Sequence, residues 1–281
     1  MTILEQQKAD APPHTEEPHR SPSQLGDYAR CPHMYWLKRI QLVPQRPDAW
    51  SPEGKAIHRA IESFELSRRQ ITLEEVQQTF TDAYDWEIDL LCEREPDPAR
   101  WADSGPRYPA EVDIKRRRER GQHILASYLA FAEAHPDQAP IVLDSRIAVE
   151  LKLEFRLGGV PILCYVDQIV EIPAAKPGQR LRVRDVKNGQ APAAPHNQLG
   201  TYKLGVELVH GVKIDVGDYW YGKTGRLSKV KDLTEYTEAY LTDQYGQLDQ
   251  DIKAGRFDPK PSPANCRSCS VSGSCAHWML Y

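Results

Sequence analysis

The stretch VPILCYVDQIVEIPAAKPGQRLRVRDVK, residues 160–187, decides the fold. Two runs rich in Val, Ile and Leu flank PAAKPGQ, a turn signal centred near Lys176, and this pattern reads as an antiparallel hairpin. Pairing about that centre makes the numbers of facing residues add to about 352, so Asp167 faces Asp185. Alternation along the strand puts Lys187 on the same face as Asp185. A bulge would shift the register by one. Two carboxylates this close repel each other unless a divalent cation sits between them, and such oxygen ligands suit Mg2+ or Mn2+. A neighbouring lysine can hold an attacking water and offset charge on a phosphate. Together these groups could hydrolyse a phosphodiester. The same D…DxK spacing also occurs in solvated hairpins with an ordinary cross-strand ion pair, so the neighbouring segments have to decide.

Upstream of the hairpin the patterns are helical. Ser23 is a candidate cap for a helix carrying Leu25 and Tyr28, which breaks near Pro32 and resumes through Tyr35, Trp36 and Ile40. A second helix starts near Glu53 with Ile57, Ile61 and Phe64 on one face, and a third carries Leu73, Val76, Phe80, Tyr84, Ile88 and Leu91. A fourth spans about 109–134. Strands are expected at 141–155, 160–172, 181–186 and about 214–221, with helices at about 196–209 and 233–254. The predicted organisation is a disordered tail over 1–20, rich in Pro, His and charge, followed by a single α/β domain over 21–281. Within that domain, 21–135 is a helical part, 136–257 the core and 258–281 a cysteine-rich closure.

A chain of 281 residues can bury roughly three quarters of its unfolded surface. Lys+Arg 36 against Asp+Glu 40 gives a net charge of −4, so any nucleic-acid site must be local. The mean hydropathy of −0.60 and the lack of a long apolar run exclude a membrane-spanning chain. No charged-then-apolar leader opens the sequence, so a cytoplasmic location is expected. The six cysteines are then better read as thiols or metal ligands than as disulfides. Cys266, Cys269 and Cys275 bring three thiolates into one short loop. By spacing alone the site takes Zn2+ with Cys31 or His277 as fourth ligand, or an iron–sulfur cluster with Cys31. Cys92 and Cys164 fall in a helix and a strand and read as small apolar residues.

The ordered set SPSQLGDYARCPHMYWLKRI, GKAIH, VDQIVE, LRVRDVKNG, QLGTY and CRSCSVSGSC covers about Ser21–Cys275. It resembles the RecB-like branch of the PD-(D/E)XK nuclease superfamily, in particular CRISPR-associated and phage-encoded iron–sulfur exonucleases. The resemblance implies a restriction-endonuclease-like mixed sheet flanked by helices, an α/β fold with a helical N-terminal part and a C-terminal cluster loop. It implies that His58, Asp167 and Asp185, with the carbonyl of Val186, bind Mg2+ or Mn2+, and that Lys187 is the catalytic lysine beside Asp167 and Asp185. Gln198 and Tyr202 fill the family's Q-x3-Y motif for DNA contact and site support, and lie four apart on one helical face. Cys31, Cys266, Cys269 and Cys275 would hold a [4Fe–4S] cluster that ties the two ends of the chain together. The one departure is Asp185 where many relatives have Glu.

The implied function is a metal-dependent DNA exonuclease acting at single-stranded ends, in CRISPR adaptation, phage recombination or repair, in a bacterial cell or phage-infected host. The alternatives are a catalytically silent DNA-binding adaptor and the nuclease subunit of a helicase–nuclease complex. GDYWYGKT at 217–224 matches the NTPase phosphate-loop pattern. Its bulky strand formers instead predict a strand ending in a glycine turn. The run Lys115–Arg120 and the set Arg180, Arg182, Arg184 are candidate phosphate contacts, the latter expected to face away from the core. Tyr219, Trp220 and Tyr221 are candidate base-stacking residues, with at least one expected to be buried.

Overall fold

The structure, a computed structural model, describes residues 18–102, 104–105, 107–189 and 195–279. Most of the tail expected over 1–20 therefore lies outside the described residues, but Arg20 is buried and bonded to Asp249. Helix α1 (Pro22–Arg30) leads into α2 (Pro32–Tyr35), which widens into a π-turn over Trp36–Ile40. The cap of α1 is Ser21 and not Ser23: Ser21 Oγ accepts from Gln24 N, and Pro22 takes the first helical position, where its missing N–H costs nothing. Helices α3 (Trp50–Leu66), α4 (Leu73–Arg94) and α5 (Ala110–Ala134) form a helical layer. Thr72 and Glu75 close a reciprocal capping box at the start of α4.

The segment expected as one strand from 141 folds first into a small hairpin, β1 (Val142–Leu143) and β2 (Arg146–Ile147). It turns at Asp144 and Ser145, both in the left-handed region. Then follow β3 (Val149–Leu157), β4 (Val160–Glu171), β5 (Leu181–Lys187), α6 (Asn197–His210), β6 (Val216–Tyr221), β7 (Arg226–Leu227), β8 (Lys231–Asp232) and α7 (Glu238–Lys253). The short α8 (Pro263–Cys266) opens the C-terminal loop. The sheet order is β3-β4-β5-β6-β7, with β8 also on β6. All neighbours are antiparallel except β5 and β6, which run parallel around the α6 crossover.

The sheet is covered on both faces. One core joins Leu153, Ile169, Val183 and Tyr219 to Leu199 and Tyr202 of α6 and Leu241 and Tyr245 of α7. The other joins Val186 and Trp220 to Ile57, Phe80, Leu125 and Tyr128 of α3–α5. At Gly200 a Cβ would lie 2.3 Å from the Tyr236 ring, so glycine lets α6 seat directly on that aromatic. The 217–224 segment is a strand ending in a turn at Gly222–Gly225, with no phosphate-loop bend.

The β4–β5 ladder pairs Gln168 with Arg184 and Ile169 with Val183, the register expected from the sequence. It ends there. Beyond it β4 pairs only with β3 and β5 only with β6, so the two strands part at Asp167 and Asp185. That divergence opens the sheet at the point where the candidate residues gather.

Several expectations are corrected. Arg184 is fully buried, bonded to Asp218 at 2.7 Å, and Arg182 reaches the same carboxylate. The parallel register sets Arg184 beside Asp218, so these guanidiniums point inward. In the Lys115–Arg120 run, Arg117 and Arg120 bind the buried Glu53, Arg116 binds Asp113, and Arg118 binds Asp85. These charges staple α5 to α3 and α4. Tyr219 and Trp220 are wholly buried in opposite cores, which meets the expectation that at least one would be and removes both as base-stacking residues. Cys164 is buried, whereas Cys92 is exposed on α4.

Candidate active site

The site sits where β4 and β5 diverge, between the two helical layers. Asp167 and Asp185 are almost completely buried on their strands. Asp167 Oδ2 accepts from Val186 N at 2.8 Å, bridging the gap left when the ladder stops. Asp185 Oδ1 accepts from Lys187 Nζ at 3.1 Å. The amine also lies 2.8 Å from Oδ2, but off the hydrogen-bonding direction, so Oδ2 has no hydrogen-bond partner among the described residues. That oxygen is held by the charge of Lys187, with no donor directed at it among the described residues.

Helix α6 closes the site from the sheet's other side. Lys187 Nζ donates to Gln198 Oε1 at 2.8 Å, Gln198 Nε2 donates to Tyr202 Oη at 2.7 Å, and Tyr202 donates to Asp167 Oδ1 at 3.3 Å. The chain Asp185–Lys187–Gln198–Tyr202–Asp167 is therefore continuous. One helical turn spans the distance from the lysine to the other carboxylate, which is what the four-residue spacing of Gln198 and Tyr202 provides. Burial and the neighbouring carboxylates hold the Tyr202 phenol protonated, as a donor.

From α3 comes His58. Its Nε2 is 3.1 Å from the Val186 carbonyl and its Nδ1 is 2.8 Å from Glu150 Oε1. Asp167 Oδ2 lies 3.6 Å from Nδ1. Glu150, on β3, is the member the sequence reading missed. The signal was present: the hairpin turning at Gly158–Gly159 pairs Val149 with Gln168 and Leu151 with Val166, which sets Glu150 against Asp167. Ligand atoms of His58, Glu150 and Asp167 all lie within 4.8 Å of one another.

Burial pushes the Asp167 carboxyl up to about 7, reinforced by Asp185 and opposed by His58. Asp185 is pushed up by burial as well, against the pull of Lys187. Burial lowers the affinity of His58 for its proton, but the charges of Asp167 and Glu150 outweigh it and raise the imidazole to about 9. The arrangement holds more negative charge than it can stabilise, and a divalent cation would relieve it.

Cys31, Cys266, Cys269 and Cys275 line one cavity together with His33 and His277, and no carboxylate borders it. Met34, Leu37 and Val271 pack beside Cys31, Cys269 and Cys275, and Lys260 N lies 3.4 Å from Cys31 Sγ. Four thiols with apolar neighbours and an amide aimed at sulfur, with His33 and His277 on the same cavity, suit a soft metal group. Among the described residues, no three of these sulfurs lie within 4.8 Å of one another. A tetrahedral zinc with bonds of ~2.3 Å would draw them to within about 4 Å.

Residues 19–276 match the PD-(D/E)XK nuclease superfamily, and the chain belongs to it. It is 35% identical over 266 residues to the Gene 69 protein of Mycobacterium phage D29, covering 92% of this chain and 96% of that protein. The Gene 69 protein of Mycobacterium phage L5 is 33% identical over 285 residues, with the same coverage. A crystal structure of a proposed exonuclease from Eubacterium rectale aligns over 94% of this chain and 89% of that one, at 12% identity and a TM-score of 0.42. Among the described residues no helix is long and apolar enough to cross a membrane.

Proposed function

We propose that this nuclease is a divalent-metal-dependent DNA exonuclease acting at single-stranded ends. The observation that carries the reading is the convergence of His58, Asp167, Asp185 and Lys187 at the divergence of β4 and β5, closed by Gln198 and Tyr202. The Asp167 and Asp185 carboxylates, His58 Nε2 and the Val186 carbonyl would hold Mg2+ or Mn2+. Bound there, the cation supplies Lewis acidity and lowers the pKa of a ligated water. Lys187 orients the attacking water and offsets charge developing on the phosphate. Gln198 fixes the lysine, and Tyr202 keeps Asp167 turned inward. The action at single-stranded ends comes from the resemblance to RecB-like exonucleases. The mycobacteriophage relatives favour phage DNA processing over CRISPR adaptation.

In the same reading Cys31, Cys266, Cys269 and Cys275 hold a [4Fe–4S] cluster whose role is architectural. It fastens α1 and α2 to the C-terminal loop, where Arg30 and Asn265 already bond across. His277 borders the same cavity, so zinc with that ligand is the competing occupant.

The test is digestion of end-labelled linear single-stranded DNA and of circular single-stranded DNA with Mg2+ or Mn2+. The linear substrate should be degraded and the circle spared, and EDTA should stop the reaction. Lys187→Ala should lose cleavage by a factor of 100 or more, an order typical for removing one transition-state donor, while keeping its fold. Undiminished cleavage by that variant would remove Lys187 from the reaction.

A further inference from the structure

We propose that Glu150 is the positioning residue of His58, its carboxylate accepting the Nδ1–H and so aiming Nε2 at the cation. This rests on the reading of His58 as a ligand. Three observations carry it. The Nδ1–Oε1 distance is 2.8 Å, while the alternative acceptor, Asp167 Oδ2, is 3.6 Å away and already engaged by Val186 N. The opposite ring nitrogen faces the Val186 carbonyl, one of the proposed ligands, at 3.1 Å. Third, the backbone at Glu150 has φ 44°, in the left-handed region. That conformation is unfavourable for a residue with a Cβ. The ladder holds it from both sides, through Val149 with Gln168 and Leu151 with Val166. Strain of this kind persists where the surroundings over-determine it, and here it turns the carboxylate towards α3.

The chemistry follows from the imidazole's two nitrogens. A histidine that gives Nε2 to a metal must carry its proton on Nδ1, and a carboxylate on that proton fixes both tautomer and ring plane. Glu150 therefore acts through His58, without bonding the cation itself.

The experiment is calorimetric titration of the full chain with Mn2+, for wild type, E150A, E150Q, H58A and the double variant H58A/E150A. Melting curves check that each is folded. E150A should bind Mn2+ about 10- to 100-fold more weakly. E150Q, whose amide oxygen still accepts the Nδ1–H, should recover most of that loss. The double variant should bind no more weakly than H58A alone, because a positioning residue has nothing left to position. Proton NMR of the metal-free protein gives a second readout: a slowly exchanging His58 Nδ1–H, kept in E150Q and lost in E150A. Wild-type affinity in E150A, or a double variant far weaker than H58A, would overturn the proposal, the latter by making Glu150 a ligand in its own right. Unchanged affinity in H58A would overturn this inference together with the ligand assignment, whereas weakening in H58A but not E150A would overturn the inference alone.

Discussion

Asp167→Asn should stabilise the metal-free protein at alkaline pH while removing its response to metal. The Asp167 carboxyl is raised from its ordinary 3.8 to about 7 by burial, and then by the charge of Asp185. Ionising it in the folded state therefore costs up to ~4 kcal/mol relative to ionising it in the unfolded chain. The folded state holds the proton more tightly, so its stability is fully present below pH 3.8 and is lost as pH rises through about 7. His58, raised to about 9, works in the same direction, its contribution fading through that value. Asparagine cannot ionise. It keeps an oxygen for Val186 N, while its amide can only donate to the Tyr202 hydroxyl; the hydroxyl loses its acceptor, which offsets part of the gain. Part of the gain is lost because His58 no longer faces a second carboxylate, which leaves a net stabilisation of roughly 1–3 kcal/mol at pH 8. For a chain of this size that is about 2–8 °C in Tm. The assay is a series of thermal melts in EDTA between pH 5 and 9, repeated with Mn2+. The variant should melt above wild type at pH 8, match it at pH 5, and fall below it once Mn2+ is added. A variant that melts below wild type in EDTA by the same margin at pH 5 and pH 8 would refute the charge argument.

Further outcomes are expected elsewhere. Protein purified without oxygen should be brown, with about four irons per chain, and Ser at Cys31, Cys266, Cys269 or Cys275 should bleach it while Cys92→Ser and Cys164→Ser keep the colour; a colourless protein with one zinc per chain would replace the cluster with a zinc site. Glu53→Ala should destabilise by about 3–5 kcal/mol in urea unfolding, because it strips the buried Arg117 of one of its two carboxylate partners. A loss below about 1 kcal/mol would mean that Asp113 alone suffices.

The hairpin was legible because its information is local. A Pro-Gly turn and two β-branched runs define a register, and that register, carried one residue past its last pair Gln168–Arg184, brings Asp167 and Asp185 to the point where the strands part. Gln198 and Tyr202 were legible for a similar reason, since one helical turn fixes their common face. Glu150 was missed because residue 150 carries no chemistry until a second register, from the Gly158–Gly159 turn, is laid beside the first. The burial of Arg184 was illegible on other grounds. Its partner Asp218 arrives on a parallel strand after a helical crossover, and no turn announces that register. The basic run at 115–120 misled for the same reason, since its carboxylate partners Glu53 and Asp85 come from other helices.

Charge placement explains how a chain of net charge −4 can act on a polyanion. Arg116, Arg117, Arg118 and Arg120, like Arg182 and Arg184, are tied to carboxylates of the protein, so they brace helices and strands and present little free field to a phosphate backbone. At the open end of the sheet Glu150, Asp167 and Asp185 outnumber His58 and Lys187. A phosphate brought to ~4 Å of one of those carboxylates meets a repulsion of about 4 kcal/mol at an effective dielectric of 20. A cation at this point would offset that repulsion, so on the proposed ligand set DNA and cation should bind cooperatively. On that ligand set, the same carboxylates that would destabilise the metal-free fold at alkaline pH would also disfavour a phosphate backbone until a cation is bound.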